Sequence, residues 1–529
     1  MSSKADFVIT NAQVFTSDEH NPRAEAVAVK GNRIVYVGNS DGAKEFQGET
    51  TRVIDGKGRT LTPGFIDSHF HLLWGSISMG GAQLYEAVTV EDIQEILRSF
   101  AAENRTSEWI EGRGVKYNII SSRVELDAVT SDRPIYINAY DGHTSWANTK
   151  ALELAGILQP GVEAPGNGVI VRDEKGLATG ELRETAMKLV SDLIPEPSDA
   201  RKRELLISTI KKINASGVTS VHNMNGEMEE MMFYAALEDA GELTLRVYVP
   251  YWIKPETTEE MLSEAAEMAK VQGELARGGA VKFFMDGVWE SYTALNIAPY
   301  ADNPEAKPEG IYSLEHFTQM AALCDKMGMQ IFVHCCGDGA VRRVLDGYDA
   351  VQKINGKRDS RHRIEHIEVV HPDDIPRFKQ LDVIPSMQTS HAPFSIAEGD
   401  VWPTRVGRQR WPLSFAWRDM KNAGNHIAFG SDWPVAPYDP MINLHVGMNR
   451  EKWSPTNPDQ RLTLEECIIG YTRNAAYAEF KENEKGQIKA GYLADMVLFS
   501  HDLFALNPED IRTAKPIITI VDGKVVFEA

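Results

Sequence analysis

Short apolar runs typical of β-strands lie at both ends of the chain. They are residues 7–9, 26–29, 33–37, 494–499 and 517–521. Gly31-Asn32 and Asp522-Gly523 suit tight hairpin turns, because these residue types tolerate positive φ. Two strand-rich ends around a different middle predict one small β-sandwich domain, formed by residues 1–62 plus 480–529.

Helix-like and strand-like segments alternate in the middle of the chain. Residues 201–216 have apolar side chains at helical spacing, Gly217 suits the end of that helix, and 218–222 is strand-like. The same order recurs at 313–327 and 330–334. Such alternation is typical of βαβ units around a parallel sheet.

Eight strand-like segments follow one another in this middle region, a count that rests partly on the family resemblance described below. They end near His71, His222, Tyr251, Asp286, His334, His366, His391 and Asp432. Eight in series predict an α/β fold, a (β/α)₈ TIM-type barrel over residues 63–479. Residues 76–200 are too long for a normal crossover, so we expect an inserted subdomain after the first barrel strand.

Composition and charge narrow the class of partner. The chain has 529 residues, 43% hydrophobic and 25% charged, with 55 basic and 76 acidic side chains and a net charge of −21. A surface this negative repels phosphate backbones and anionic lipid, so we expect a small-molecule substrate and neither nucleic acid nor membrane. Four cysteines and an N-terminus without an apolar leader favour a cytoplasmic protein. A homodimer is compatible with the sequence.

The sharpest local motif is the pair His69 and His71. If 65–71 is a strand, its period of two places both imidazoles on one face, where they can clamp a metal ion. The alternative is a pair of ordinary strand histidines. His334, His366 and Asp432 stand at the ends of other predicted strands, where barrel active sites lie. Because a buried cluster of unpaired imidazoles is costly, the set predicts a metal site.

Lys282 is unusual because it lies within a predicted barrel strand. A buried lysine is costly unless it is paired or neutral. One interpretation is a salt bridge with Asp286 or another acid. The other is a neutral amine that adds CO₂ to give a carbamate, whose two oxygens bridge two cations.

A set of motifs in fixed order resembles the amidohydrolase superfamily of metal-dependent hydrolases. The motifs occupy 63–71, 141–152, 217–223, 281–287, 332–338, 363–368, 430–435, 474–477 and 491–495. The most similar branch is the YtcJ-like one (amidohydrolase family 3), which includes N-substituted formamide deformylase. The resemblance covers nearly the whole chain.

This resemblance implies a metal centre and a reaction. His69, His71 and Asp432 would hold the more buried ion, His334 and His366 the second, and carboxylated Lys282 would bridge them. Two Zn²⁺ are the expected ions, with iron, manganese or cobalt as alternatives. The implied reaction is hydrolysis of a non-peptide C–N bond in an amide or N-acyl amine, with Asp432 as general base and acid. The alternatives are hydrolysis of an ester, lactone or carbamate at the same centre, and a non-catalytic scaffold.

Four residues are candidates for substrate contact: His143, Trp146, His391 and Trp289. His143 and Trp146 lie in the insertion, where Trp146 would pack on an apolar substrate group; the alternative for His143 is a structural loop anchor. His391 is equally compatible with a hydrogen bond at the barrel mouth, and Trp289 with simple packing. Tyr292 stands where the family often has arginine, which would remove a cation near the pocket.

Overall fold

Eight parallel strands form the central sheet of this computed structural model, which describes residues 4–397 and 399–529. The strands are β1 (Phe65–Phe70), β2 (Val218–Asn223), β3 (Arg246–Trp252), β4 (Ala276–Phe284), β5 (Gln330–Cys335), β6 (Arg363–His366), β7 (Ile384–Met387) and β8 (Ala428–Phe429). Each strand pairs with its neighbours in chain order. The predicted α/β barrel is therefore confirmed.

The segment after β8 closes the barrel against β1. Asp432 N donates to His69 O at 2.7 Å, and His71 N donates to Trp433 O at 2.8 Å. Phe70 and Trp433 form an isolated parallel bridge. This closure brings the histidines of β1 and the aspartate that follows β8 to the same end of the barrel.

Helices on the outside of the sheet bury their apolar side against it, and these residues make up the largest hydrophobic core. The longer ones are Asp199–Ala215, Met228–Asp239, Leu314–Lys326, Asp338–Asn355 and Pro440–Asn449. Shorter helices are Leu72–Ser78, Leu262–Met268, Ile375–Leu381, Val401–Val406, Trp417–Asn422, Leu464–Gly470 and Arg473–Tyr477. Ser198 and Ser313 cap two helices, because each side chain accepts a hydrogen bond from a backbone N–H of the first turn. Within the described residues, no helix combines the length and the apolar character needed to cross a bilayer.

The insertion after β1 builds its own six-stranded sheet. In spatial order its strands are Val169–Arg172, Ala178–Arg183, Thr144–Ala147, Ile135–Ala139, Ile110–Val115 and Ala82–Gln83. Its helices are Val90–Glu103, Arg123–Asp127, Thr149–Leu154 and Lys188–Ser191. Tyr85 donates to the carbonyl of Pro434 at 2.7 Å, so the insertion contacts the segment that closes the barrel.

Two further sheets contain the terminal strands. The first has the order Arg33–Gly38, Ala26–Lys30, Phe7–Thr10 and Arg52–Asp55. The second has the order Lys524–Glu528, Pro516–Val521, Met496–Phe499, Thr60–Pro63, Gln13–Phe15 and Arg23–Ala24. Because Thr60–Pro63 pairs with Met496–Phe499, the two chain ends meet in one sheet. Apolar residues from both sheets share one core.

Candidate metal centre

Residues of β1 and the segment after β8 form the first half of the centre. His69 lies on β1 and His71 immediately follows the strand. Because side chains two residues apart in a strand point to the same face, both rings lie on one side. His69 Nε2 lies 3.3 Å from Asp432 Oδ1, and His71 Nε2 lies 3.2 Å from the same oxygen. His69 and His71 therefore meet Asp432, a third predicted ligand from a distant position in the sequence.

β5 and β6 contribute the second half. The ring centroids of His334 and His366 are 4.3 Å apart, and those of His366 and His69 are 4.6 Å apart. His366 Nδ1 lies 3.9 Å from Asp432 Oδ2. The structure thus brings together the four predicted histidine ligands and Asp432.

Lys282 on β4 is fully buried close to these ligands. Its Nζ makes no hydrogen bond and lies 4.3 Å from the centroid of the Phe284 ring. Burial lowers the pKa of Lys282 to about 8. The alternative salt bridge with Asp286 is not found among the described residues; the Asp286 carboxylate instead accepts backbone N–H groups of Leu295, Cys336 and Gly337.

Neighbouring acceptors fix the orientation of the histidine rings. His69 Nδ1 lies 2.8 Å from Glu365 Oε2, and His71 Nδ1 lies 2.6 Å from Asn225 Oδ1. A carboxylate or amide oxygen at Nδ1 favours the tautomer with Nε2 free to bind an ion. The sequence analysis missed both acceptors. The alternation Arg363-x-Glu365 is the one signal that could have indicated a buried ion pair on β6.

The donor set fits a divalent metal ion. His69 Nε2, both nitrogens of His366, Asp432 Oδ1 and Lys282 Nζ are buried without a hydrogen-bond partner. One donor atom each from His69, His366 and Asp432 lie within 4.8 Å of one another. Nitrogen and oxygen donors of this kind suit zinc and neighbouring first-row metals. Unpartnered buried polar atoms are costly, and a bound cation satisfies them.

The charge states also fit a metal site. Burial holds the pKa of His69, His334 and His366 well below the usual range, so these imidazoles are neutral. Burial alone would raise the pKa of Asp432, but His69 and His71 lower it below its ordinary value. Neutral imidazoles and an ionised carboxylate are the forms that bind metal.

A cavity of about 250 Å³ opens beside the ligands. His334, His366 and Asp432 line it, together with two of the predicted substrate residues, His143 and His391. His391 does not end β7; it lies four residues beyond Met387, in the 3₁₀ turn Thr389–His391, with Nε2 3.6 Å from Asp432 Oδ2.

His143 enters this cavity from the insertion. Its ring centroid lies 5.8 Å from that of His334, and its Nδ1 lies 3.0 Å from Glu184 Oε2. Glu184 in turn accepts hydrogen bonds from Ser291 and Thr293, which follow β4. Burial alone would lower the pKa of His143, but Glu184 raises it to about 9. The insertion therefore adds a cationic side chain beside the metal ligands.

Trp146 and Trp289 lie outside the cavity lining. Trp146 packs in the core of the insertion sheet. Trp289 packs in the main core, with its indole N–H donating to the Cys336 carbonyl. The Arg405 guanidinium lies 4.1 Å from the centroid of the Tyr292 ring, so a cation from elsewhere in the chain covers the residue that replaces the family's arginine.

Carboxylates that the sequence analysis did not identify form one wall of the cavity. Asp141 comes from the insertion, Glu290 follows β4, and Glu368 follows β6. Cys336 also lines the cavity, with Sγ 3.4 Å from His334 Nε2. These residues lie in loops whose meeting point depends on the closed barrel, so their spacing along the chain gives no signal.

The sequence is similar to those of known proteins over nearly its whole length. The model of the amidohydrolase family matches residues 52–527. The chain is 28% identical to "Putative amidohydrolase YtcJ" of Bacillus subtilis, over 97% of this chain and 98% of that protein. It is 27% identical to N-substituted formamide deformylase of Arthrobacter pascens, over 100% and 99%. These matches confirm the family and the branch expected from the motifs.

A solved structure agrees with the fold. An uncharacterised metal-dependent hydrolase from Pyrococcus furiosus superposes with a TM-score of 0.74, at 24% identity, over 95% of this chain and 99% of that one. The family model spans the barrel with its metal-site motifs. The chain therefore belongs to the amidohydrolase family and is a hydrolase of the amidohydrolase type.

Proposed function

We propose that this enzyme hydrolyses a non-peptide C–N bond, in an amide or an N-acyl or N-formyl amine. The observation that carries the proposal is the cluster of buried, unpartnered donor atoms of His69, His366 and Asp432 at the mouth of the barrel. The similarity to a protein named N-substituted formamide deformylase supports the choice of bond.

His69, His71 and Asp432 would hold one divalent ion, and His334 and His366 a second, with zinc as the expected metal. Metal bound there supplies Lewis-acid activation of a water molecule and of the substrate carbonyl. The chain's own residues do the rest. Asp432 accepts a proton from the attacking water and returns it to the departing nitrogen, because an amine anion is a poor leaving group.

Lys282 is proposed to be carboxylated and to join the two ions. Its neutral amine would add CO₂ and release a proton, which gives an N-carboxylate. Complete burial, the absence of a hydrogen bond at Nζ and the lowered pKa support this reaction. Electron density at Lys282, in crystals grown with metal and bicarbonate, tests it; a plain lysine side chain would contradict it.

The Asp432→Asn variant tests the catalytic role. Asparagine keeps the size of the side chain but cannot accept the proton, so we expect kcat for a formamide or acetamide substrate to fall by about 10²- to 10⁴-fold. Metal content by plasma mass spectrometry separates loss of the base from loss of a ligand. Asp373→Asn, an exposed aspartate beyond β6, is the matched control and retains activity. An Asp432→Asn variant as active as the parent would contradict the proton-transfer role.

The choice between amide and ester is tested with an isosteric pair. The same centre can cleave an ester, lactone or carbamate, because the carbonyl chemistry is shared. For each member of the pair, kcat/KM is divided by the uncatalysed rate of hydrolysis. A higher ratio for the amide than for the ester supports the proposal. Turnover of the ester alone supports the alternative. Metal-loaded protein that cleaves neither would favour a non-catalytic scaffold.

The four cysteines support the proposed cytoplasmic setting. All four are buried and unpaired, and a reducing compartment keeps thiols in this form. A homodimer and a small-molecule substrate remain part of the proposal.

A further inference from the structure

The acidic wall of the cavity consists of Asp141, Glu290 and Glu368. The three residues come from the insertion, the segment after β4 and the segment after β6. Among the residues described as lining the cavity there is no lysine or arginine, and the cationic candidates are histidines. Three carboxyl groups therefore converge on one side of a cavity whose other side holds the proposed metal ligands.

The wall carboxylates have few partners of opposite charge. Glu290 accepts a hydrogen bond from the Tyr140 hydroxyl at 3.3 Å, and Glu368 Oε2 accepts one from Trp402 Nε1 at 2.6 Å. Glu368 Oε1 meets Cys336 Sγ at 3.7 Å. Within the described residues, none of the three carboxylates forms a salt bridge with lysine or arginine.

His143 and one arginine are the nearby cations, since burial lowers the pKa of His391 and leaves its ring neutral. His391 Nδ1 lies 4.0 Å from Glu368 Oε1, and His143 N donates to Asp141 Oδ1. The Arg405 guanidinium packs against the Tyr292 ring, and its positive charge stabilises the Glu290 carboxylate from a distance. Burial, and then the charge of Asp141, raise the pKa of Glu290 to about 7. The wall carboxyl groups thus lack the close lysine or arginine partner that would stabilise their ionised form.

The cavity is a ligand site on independent grounds. His366 lines it, is 3% exposed, and has no hydrogen bond at either ring nitrogen. Asp432 lines it as well, with Oδ1 unpartnered. A molecule that reaches these donors also meets the wall.

We infer that the substrate carries an ammonium group that binds to the acidic wall while its amide is held beside the metal ligands. The inference rests on the proposed function and names its substrate class: amides with a primary or secondary amine a few bonds from the scissile C–N bond. A buried carboxylate gains most from a partner that is both charged and a hydrogen-bond donor, and an ammonium group is both. The wall thus differs from the apolar surface expected from Trp146.

Two isosteric pairs test the inference with the metal-loaded enzyme. N-acetyl-1,4-diaminobutane is compared with N-pentylacetamide, and N-methyl-5-aminopentanamide with N-methylhexanamide, so each pair differs by NH₃⁺ against CH₃. We expect kcat/KM to favour the ammonium member of at least one pair by about 10- to 100-fold. Equal rates within both pairs would overturn the inference and leave the proposed function intact.

The Glu290→Gln variant tests whether Glu290 is responsible for the preference for the ammonium group. It keeps the hydrogen bond with Tyr140 possible but removes the charge, so the preference for the ammonium member of each pair is expected to fall by about 10-fold or more. Glu315→Gln, an exposed acid in the first turn of Leu314–Lys326, is the matched control. Loss of bound metal, or equal loss for both members of a pair, would assign Glu290 to the metal centre or to structure and overturn the inference.

Binding measured by calorimetry does not depend on turnover. Pentylammonium is expected to bind the metal-loaded protein at least about 10-fold more tightly than 1-pentanol, and to lose that advantage in Glu290→Gln. Tight, Glu290-dependent binding without hydrolysis of any amide would support the ammonium site and defeat the proposed function. Equal binding of the two probes would overturn the ammonium site.

Discussion

At His366, Ile367 and Asp432 the backbone takes φ values of 72°, 53° and 61°. L-residues avoid this left-handed region, at a cost on the order of 1–3 kcal/mol each where it persists. The strain lies at two of the metal-ligand positions and directly beside one of them. Backbone strain at such positions persists where the surrounding structure holds the residues in place, as it does for these buried side chains.

Replacing Glu365 tests the support of His69. In Glu365→Gln the side chain keeps its size but loses the charge that holds His69 Nδ1 and pairs with Arg363. We expect metal affinity to fall by about 10- to 100-fold, measured by competition with a chelator. Glu482→Gln, which removes a comparable carboxylate partner of Arg361 away from the centre, retains wild-type affinity. Unchanged affinity in Glu365→Gln would contradict this role.

The convergence of the proposed ligand residues was predictable, whereas the residues that support them were not. The spacing of His69 and His71, together with the positions of His334, His366 and Asp432 near strand ends, needs only strand periodicity and the rule for barrel mouths. Glu365 and Asn225 act across strands, so their partners depend on the register of the closed barrel. Burial of Trp146 in the insertion core was likewise not predictable from its position beside His143.

Among the elements, β8 shows how little regular strand the barrel needs for closure. The ladder covers Ala428–Phe429, and the hydrogen bonds of Asp432 and Trp433 to β1 complete the ring. The sequence placed the end of this strand near Asp432, three residues beyond the ladder. Gly430 lies between, packed directly against β1: a Cβ there would be 2.5 Å from His69 N and 2.8 Å from His69 Cβ.

The Gly430→Ala variant therefore displaces β1 at a metal ligand. The clash is with backbone, which cannot rotate away, so we expect a loss of unfolding free energy of about 1–3 kcal/mol and weaker metal binding. Chemical denaturation and chelator competition measure the two effects. Gly48→Ala is the control: its Cβ would meet the flexible chain of Lys4, and stability is expected to change by less than about 0.5 kcal/mol. Wild-type stability and metal binding in Gly430→Ala would refute the tight closure.

On the scale of the whole molecule, one buried ion cluster joins the terminal sheets to the barrel. Arg246 at the start of β3 donates to Asp495 at 2.7 Å and 3.1 Å and to Asp522 at 3.0 Å. Asp495 directly precedes the strand Met496–Phe499, and Asp522 lies in the last hairpin. The sequence predicted the terminal β domain but not this connection, because nothing local links positions 246 and 495.

Removing the arginine leaves two carboxylates without their partner. We expect Arg246→Met to lower the free energy of unfolding by about 3–5 kcal/mol, because Arg246 and Asp495 are both buried. Arg52→Met, which breaks an exposed pair with Glu528, is the control and costs about 0–1 kcal/mol. Equal effects of the two substitutions in chemical denaturation would contradict the assignment.

The same cluster gives an expected pH dependence. Burial alone would raise the pKa of Asp495, but Arg246 lowers it below its ordinary value. A lowered folded-state pKa contributes stability above about pH 4, where an unfolded aspartate is ionised, and this contribution is lost as pH falls through the folded-state value. The stability difference between wild type and Arg246→Met should therefore shrink in acid. A difference that grows in acid would refute the assignment.

The insertion supplies His143, Glu184 and Asp141, while the metal ligands all come from the barrel. One part of the cavity wall is thus encoded in a stretch of the polypeptide separate from the proposed metal ligands. Substitutions within residues 141–184 would therefore reshape this part of the cavity and leave the barrel residues beside it unchanged.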